Sequence, residues 1–310
     1  MRPLSFALLA VPAVTAVACH GPGVAPAPPR PAAGAADPVA DLVRVRCATD
    51  GRDVVTSWRG QVYADVPGEA PRHLFAIVGM NVARCAEDAD GWYLTSRELM
   101  LYLDPDTGAV LRRWHNPWTG VDVPVVHVAN SPVQARLGAA PPLERHGPLA
   151  TFVYDIPLGY PNPIHADEAL RPFAPSPTYE AIEMFGLTAP ADEVGDPARP
   201  TVSWMTLTWH RVGPWLPWMG QGDAPGRLVY RATGERVDGI AALPAELRDE
   251  LATRLPRYRA APTCLLDAAN VTSWTYFVAH ADAYRRGDRF PLPAPVVDEP
   301  CRAAAAPMSR

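Results

Sequence analysis

The chain has 310 residues, enough to bury a sizeable core as one large or two ordinary domains. Its net charge of −5 is scattered rather than clustered, which excludes the basic footprint of a nucleic-acid binder or of a protein drawn to an anionic membrane surface. All 28 basic residues are arginine, so Schiff-base catalysis, lysine-anchored pyridoxal phosphate and a phosphate-loop lysine are excluded.

Residues 1–18 carry an early Arg2, a proline-interrupted apolar run and an Ala16-Val17-Ala18 end. That pattern predicts an export signal and is too short to span a bilayer. The small residues before Cys19 resemble a bacterial lipobox, in which the cysteine is lipidated and becomes the new N-terminus; Ala16 stands where leucine is usual. Cleavage by an ordinary signal peptidase at the same Ala-Val-Ala is the alternative. Either way the expected location is the periplasm or the cell envelope, with membrane contact only through a lipid on Cys19. Residues 19–38 form a Pro/Ala/Gly tether with almost nothing to bury.

A single β-barrel-like domain is predicted over residues 39–290. It opens with a short helix over 39–48, capped by Asp37 with Pro38 at its first position, and Gly51 marks the break after it. Residues 54–115 contain four strand-like runs separated by turns at Pro67-Gly68, Asp88 to Gly91 and Asp104 to Gly108, the pattern of an antiparallel meander. Along residues 94–104, Glu98 shares a face with Leu94, Met100 and Tyr102, and Arg97 shares the other with Leu99, Leu101 and Leu103. One charge must therefore point at an apolar side and needs a partner, for which Arg84 on the preceding strand is a candidate.

Residues 116–120, Asn-Pro-Trp-Thr-Gly, read as a tight turn opened by Asn116, and a strand is predicted over 121–130. Both of its faces are largely apolar, as for a strand covered on both sides, and His127 falls among valines. It reads either as a core histidine bonded to backbone or as a proton-transferring imidazole beside Asn116 and Asn130. Beyond Pro132, residues 134–148 and 157–178 read as proline-rich loops around a short strand, TFVYDIP, followed by strands near 179–187 and 201–211. Residues 213–223, with Trp215, Trp218 and three glycines, form an aromatic lip: a plug or a pocket wall. A hairpin around Thr233-Gly234, an amphipathic helix over 243–255, a strand over 270–277 and a loose tail over 291–310 complete the predicted elements. The expected fold is mainly β, one large antiparallel sheet curled into a barrel with one amphipathic helix and long proline-rich loops outside.

Cys47, Cys85, Cys264 and Cys301 are an even number without CxxC spacing, permitting two disulfides in any of three connectivities. No GxSxG elbow, HExxH, Walker A loop or EF-hand is present, and no cofactor or metal is expected.

The ordered set NVAR (81–84), SRE (96–98), YLDPDTG (102–108), NPWTG (116–120), VVHVANSPV (125–133), PWLPWMG (214–220) and TSWTYF (272–277) resembles the DUF1838 family of bacterial proteins, often exported, across most of residues 40–280. The resemblance implies no reaction. It draws attention to Asn81, Arg84, Glu98, Asn116, Trp118, His127, Asn130, Arg211, Trp218 and Trp274, which match its motif positions, while Cys85 directly after NVAR departs from it.

Three functions follow as expectations. The first is binding of a small hydrophobic or aromatic molecule in a barrel cavity, with Trp118, Trp215, Trp218 and Trp274 as walls and Asn81, Asn116, Asn130 and Arg211 as polar contacts. The second is a cofactor-independent enzyme in which His127 transfers a proton, Glu98 orients it and Arg84 holds an anionic group. The third is an envelope scaffold with no cavity.

Overall fold

The computed structural model describes residues 37–302; the export signal, Cys19 and residues 303–310 lie outside the described residues. The chain enters through α1 (Pro38–Arg46), whose first turn is capped as expected, the Asp37 carboxylate accepting from Val39 N–H at 3.0 Å. Eleven strands follow in chain order: β1 (Val54–Asp65), β2 (Arg72–Asp88), β3 (Gly91–Leu103), β4 (Arg113–His115), β5 (Asp122–Pro124), β6 (Val128–Arg136), β7 (Leu143–His146), β8 (Leu149–Pro161), β9 (Thr178–Pro190), β10 (Thr206–Gly213) and β11 (Arg227–Val237). The helices after α1 are α2 (Ala191–Val194), α3 (Ala245–Thr253), α4 (Ser273–Ala279) and α5 (Ala281–Arg286).

Nine strands form one antiparallel sheet in the order β6-β3-β2-β1-β11-β10-β9-β8-β7, and β4 with β5 make a separate ribbon. The expected curl is present, and the sheet is a half-barrel: β6 and β7 end it rather than pairing with each other. How tightly it curls is visible where the hydroxyls of Tyr102 on β3 and Tyr230 on β11 meet at 3.1 Å. Three strand spacings of a flat sheet would separate those strands by roughly 14 Å, too far for side chains standing side by side on one plane.

Both faces are covered, which is why both charges of the Ser-Arg-Glu run find partners. Arg97 points to the convex side, where it bonds the Ser131 hydroxyl at 2.9 Å and pairs with Glu299. That side is roofed by α3, with Leu247 and Leu251 fully buried, and by residues 256–262; Tyr258 donates to Ala129 O at 2.8 Å. Glu98 points to the concave side. One end of this side is closed by α1, whose Val43 and Cys47 pack on Ala83, Cys85 and Leu94. Disulfides join Cys47 to Cys85 and Cys264 to Cys301, settling the connectivity left open above.

Several expectations are corrected. The strand over 121–130 is broken: β5 ends at Pro124, and β6 starts at Val128. Pro124 lacks the N–H a continuous ladder needs. Residues 227–237 are one strand, and Gly234 is there for room rather than for a turn. Trp58 has Gly79 and Gly234 as its cross-strand neighbours, so its indole can lie flat over the concave face. The 270–277 run is helical because Thr272 and Thr275 form a reciprocal capping box. The proline-rich stretches hold β7 and extend β8 to thirteen residues. Residues 291–302, expected to be loose, are tied down: Leu292 N–H donates to the Tyr276 hydroxyl at 3.0 Å, Ala294 N–H to Arg254 O at 2.8 Å, and Cys301 is cross-linked.

A methyl group at Gly79 would lie 2.2 Å from the Trp58 ring. Gly79→Ala should therefore cost about 1–3 kcal/mol in urea unfolding, the range for overpacking. Trp58→Leu should remove most of that penalty in the double variant. An additive pair would contradict this packing.

Candidate functional site

Alternation along the concave strands brings together side chains remote in sequence. Glu98 and Tyr102 come from β3, Asn130 from β6, Tyr160 from β8, Tyr179 and Glu183 from β9, Trp209 and Arg211 from β10 and Tyr230 from β11; Trp274 on α4 closes one wall. They surround a cavity of about 130 Å³. A second space of about 220 Å³ adjoins it, sharing Glu98, Glu183 and Trp209, and is walled by Trp58, Asn81, Phe185, Met205, Leu207 and Arg46 of α1.

Arg211 is 7% exposed. Its Nη2 donates to the Tyr179 hydroxyl at 2.6 Å, its Nε lies 3.8 Å from Glu183, and its guanidinium sits 5.2 Å from the Tyr230 ring and 5.9 Å from that of Trp274. Burial opposes its charge, but Tyr179, Tyr230 and Glu183 more than offset this and raise its pKa. Glu183 is pushed up by burial, with Arg211 and the Trp209 indole N–H pulling the other way. Glu98 has weaker support. Its Oε2 accepts from Asn130 Nδ2 at 2.9 Å, and burial followed by repulsion from Glu183 raises its pKa to about 7. Three buried polar atoms of the lining side chains have no hydrogen-bond partner: Arg211 Nη1, Asn130 Oδ1 and Trp58 Nε1.

Of the residues anticipated from sequence, Glu98, Asn130, Arg211 and Trp274 meet in the first space, and Asn81 lines the second. The others lie elsewhere. Arg84 pairs with Asp53 at 2.9 Å rather than with Glu98. His127 lines neither space; its Nδ1 accepts from Tyr102 N–H at 3.0 Å, replacing the ladder partner missing at the strand break. Burial drives that imidazole down to about 3, against a backbone hydrogen bond with Leu111, so the ring is neutral. Asn116 binds the turn to the aromatic lip, donating to Met219 O at 2.8 Å and accepting from Trp118 N–H at 2.9 Å. Trp218 is buried against Phe75, Tyr102 and Trp114, and Trp118 packs on Trp215 beneath Arg72. The tryptophans of the lip thus pack as a plug rather than line this site, to which the lip contributes only Leu216. The tyrosines, Trp209 and Glu183 were missed. Glu183 had a legible signal, since it alternates with Phe185 and Leu187 on one face of a strand.

The family model for DUF1838, described as a protein of unknown function, matches residues 51–281. The chain belongs to the DUF1838 family. No curated protein matches it. Among solved structures, the Ail attachment invasion locus protein of Yersinia pestis aligns at 4% identity and a TM-score of 0.16, over 60% of this chain and 99% of that one, which is too loose to carry a structural argument. The matched DUF1838 span includes every cavity strand from β1 to β11 and all of α4.

Glu98 and His127 make opposite contributions to stability. The folded state holds the Glu98 proton more tightly than the unfolded chain does, so that contribution is complete below the ordinary value of 4.5 and is lost as pH rises to about 7. The His127 contribution is complete above 6.5 and is lost as pH falls toward about 3. In urea unfolding at pH 5 and pH 8, Glu98→Gln should remove a loss on the order of 1–3 kcal/mol between the two conditions. His127→Gln, whose amide oxygen can still accept from Tyr102, should make the loss steeper. Identical pH profiles for wild type and both variants would contradict these assignments.

Proposed function

We propose that this DUF1838 protein is exported, tethered to the envelope through a lipid on Cys19, and that its half-barrel binds a small aromatic or hydrophobic molecule carrying a polar group. One observation carries the binding reading: Arg211 Nη1 and Asn130 Oδ1, a donor and an acceptor, are buried without partners among the aromatic walls of one cavity. Buried polar atoms are almost always satisfied, so such a pair fits a ligand's polar group, with the rings of Trp209 and Trp274 against its body. The volume suits this class, since a cavity of about 150 Å³ admits benzene and the adjoining space extends it. Two disulfides support an oxidising compartment.

Native mass spectrometry of the undenatured protein from its own cells should show a co-purified small molecule, and phenols or aryl ketones should raise its melting temperature by several degrees. Asn130→Leu should abolish the rise while the protein stays folded. A protein that carries nothing, and is stabilised by no compound of this class, would end the binding reading. For the anchor, Cys19→Ser should move the protein from the membrane fraction to the soluble one; an unchanged distribution would refute lipidation there.

A further inference from the structure

We infer that the cavity catalyses proton transfer at a carbon next to a ketone carbonyl, with the Glu98 carboxylate as base and Arg211 with the Tyr102–Tyr230 hydroxyl pair holding the carbonyl oxygen; this rests on the small-molecule reading above. The placement of donors and acceptor carries it. Glu98 Oε2 is held by Asn130 at 2.9 Å, which fixes the carboxyl and leaves Oε1 for a substrate. On the same cavity Arg211 offers an unpartnered N–H at Nη1. Tyr102 and Tyr230 share one hydrogen bond at 3.1 Å. Whichever of them donates, one phenolic proton is left over. A charged donor and a phenol, fixed in a water-poor site, are what a developing enolate oxygen requires.

The step balances without a co-reactant. Glu98 takes the proton as the α C–H bond breaks, the electron pair moves to form the enolate C=C bond, and negative charge collects on the oxygen facing Arg211 and the phenol. When the proton on Glu98 is replaced by one from solvent before the carbon is reprotonated, the α position exchanges with solvent. Its return to the γ carbon of a β,γ-unsaturated ketone gives the conjugated isomer. Reversible transfer works best when the base has a pKa near the working pH, and burial with repulsion from Glu183 brings Glu98 to about 7. The charged groups acting on it are Glu183 from β9, Arg211 from β10 and Arg46 from α1. The Tyr102 phenol is held well above its ordinary value by burial, then by Tyr230, and Tyr230 is raised by burial; both remain protonated donors.

The test uses the full-length protein and 2-tetralone, a benzo-fused ketone with acidic benzylic α protons, in deuterated buffer. Binding is read by quenching of tryptophan fluorescence and exchange by proton NMR. Wild type should accelerate exchange at least tenfold over buffer, with a rate that rises with pH through about 7. Glu98→Gln should bind the ketone and return exchange to the buffer rate, and Tyr230→Phe should slow it severalfold. Should Glu98→Gln fail to fold, Glu98→Asp, which withdraws the carboxylate by one methylene, should lower the rate with binding intact. Binding without acceleration, or acceleration that survives loss of the Glu98 carboxylate, overturns the catalytic inference and leaves the binding site standing. Absence of 2-tetralone binding overturns this inference, whereas the small-molecule reading falls only if the protein also carries nothing and no phenol or aryl ketone stabilises it.

Discussion

A sheet that curls without closing leaves a seam, and the seam here is bridged by residues 270–272. Val271 N–H donates to Pro132 O at 2.9 Å, and the Asn270 side chain exchanges two 2.9 Å hydrogen bonds with the backbone of Gln134, so the outer edge of β6 finds partners. One residue further on, Thr272 caps α4 and hydrogen-bonds Tyr160 on β8. The N-terminus of one short helix thereby joins β6, at one end of the sheet order, to β8, next to last at the other. Asn130 lies on one side of this bridge and Tyr160 on the other, so the cavity exists because the bridge spans the seam without filling the hollow.

Within that hollow the charges are deliberately unequal in support. Glu183 has Arg211 and an indole N–H, and Arg211 has a phenol and two aromatic faces. Glu98 has only the neutral amide of Asn130 at close range. Two carboxylates that share Arg211, with Arg46 acting on both from α1, are not equally compensated in a buried space, and the less supported one retains its proton to higher pH. Separation of this kind between neighbouring carboxyls is how one fold assigns an ionised and a protonatable role at a single pH.

What the sequence made legible follows from how local each signal was. The mainly β sheet, the Asp37 cap and the amphipathic Leu247–Leu251 stripe rest on alternation, capping and helical spacing, all readable within one segment. The helix at 273–279 was hidden because Trp274, Tyr276 and Phe277 favour strands by composition, while the capping box is a reciprocal contact of two threonines. Gly234 resembled a turn residue because its real constraint, the close approach of the Ser57 carbonyl and the Trp58 Cβ, comes from a strand far away in the chain. Glu98 and Asn130 were found because a polar side chain stood out in an apolar strand, and Arg211 only because it matches a motif position of the family. The tyrosines were not, because a tyrosine in a strand looks the same whether its hydroxyl faces solvent, the core or a ligand.

That ambiguity also separates His127 from Glu98. Each is a titratable group in a run of aliphatic residues, and desolvation penalises the charged form of each. The difference lies in what the surrounding space contains. His127 meets backbone, and its Nδ1 completes the ladder where β6 fails to reach Tyr102, so protonation would set a ring N–H against a peptide N–H. Glu98 meets a cavity, and taking up or losing its proton breaks no backbone contact. The two disulfides act on the covers of that cavity rather than on its lining. Cys47–Cys85 holds α1 over one end, and Cys264–Cys301 fastens the C-terminal segment next to the chain that leads into the seam. Both cross-links restrain the parts whose loosening would admit water, and in a water-filled hollow the raised pKa of Glu98 and the strength of the Arg211 donor would both diminish.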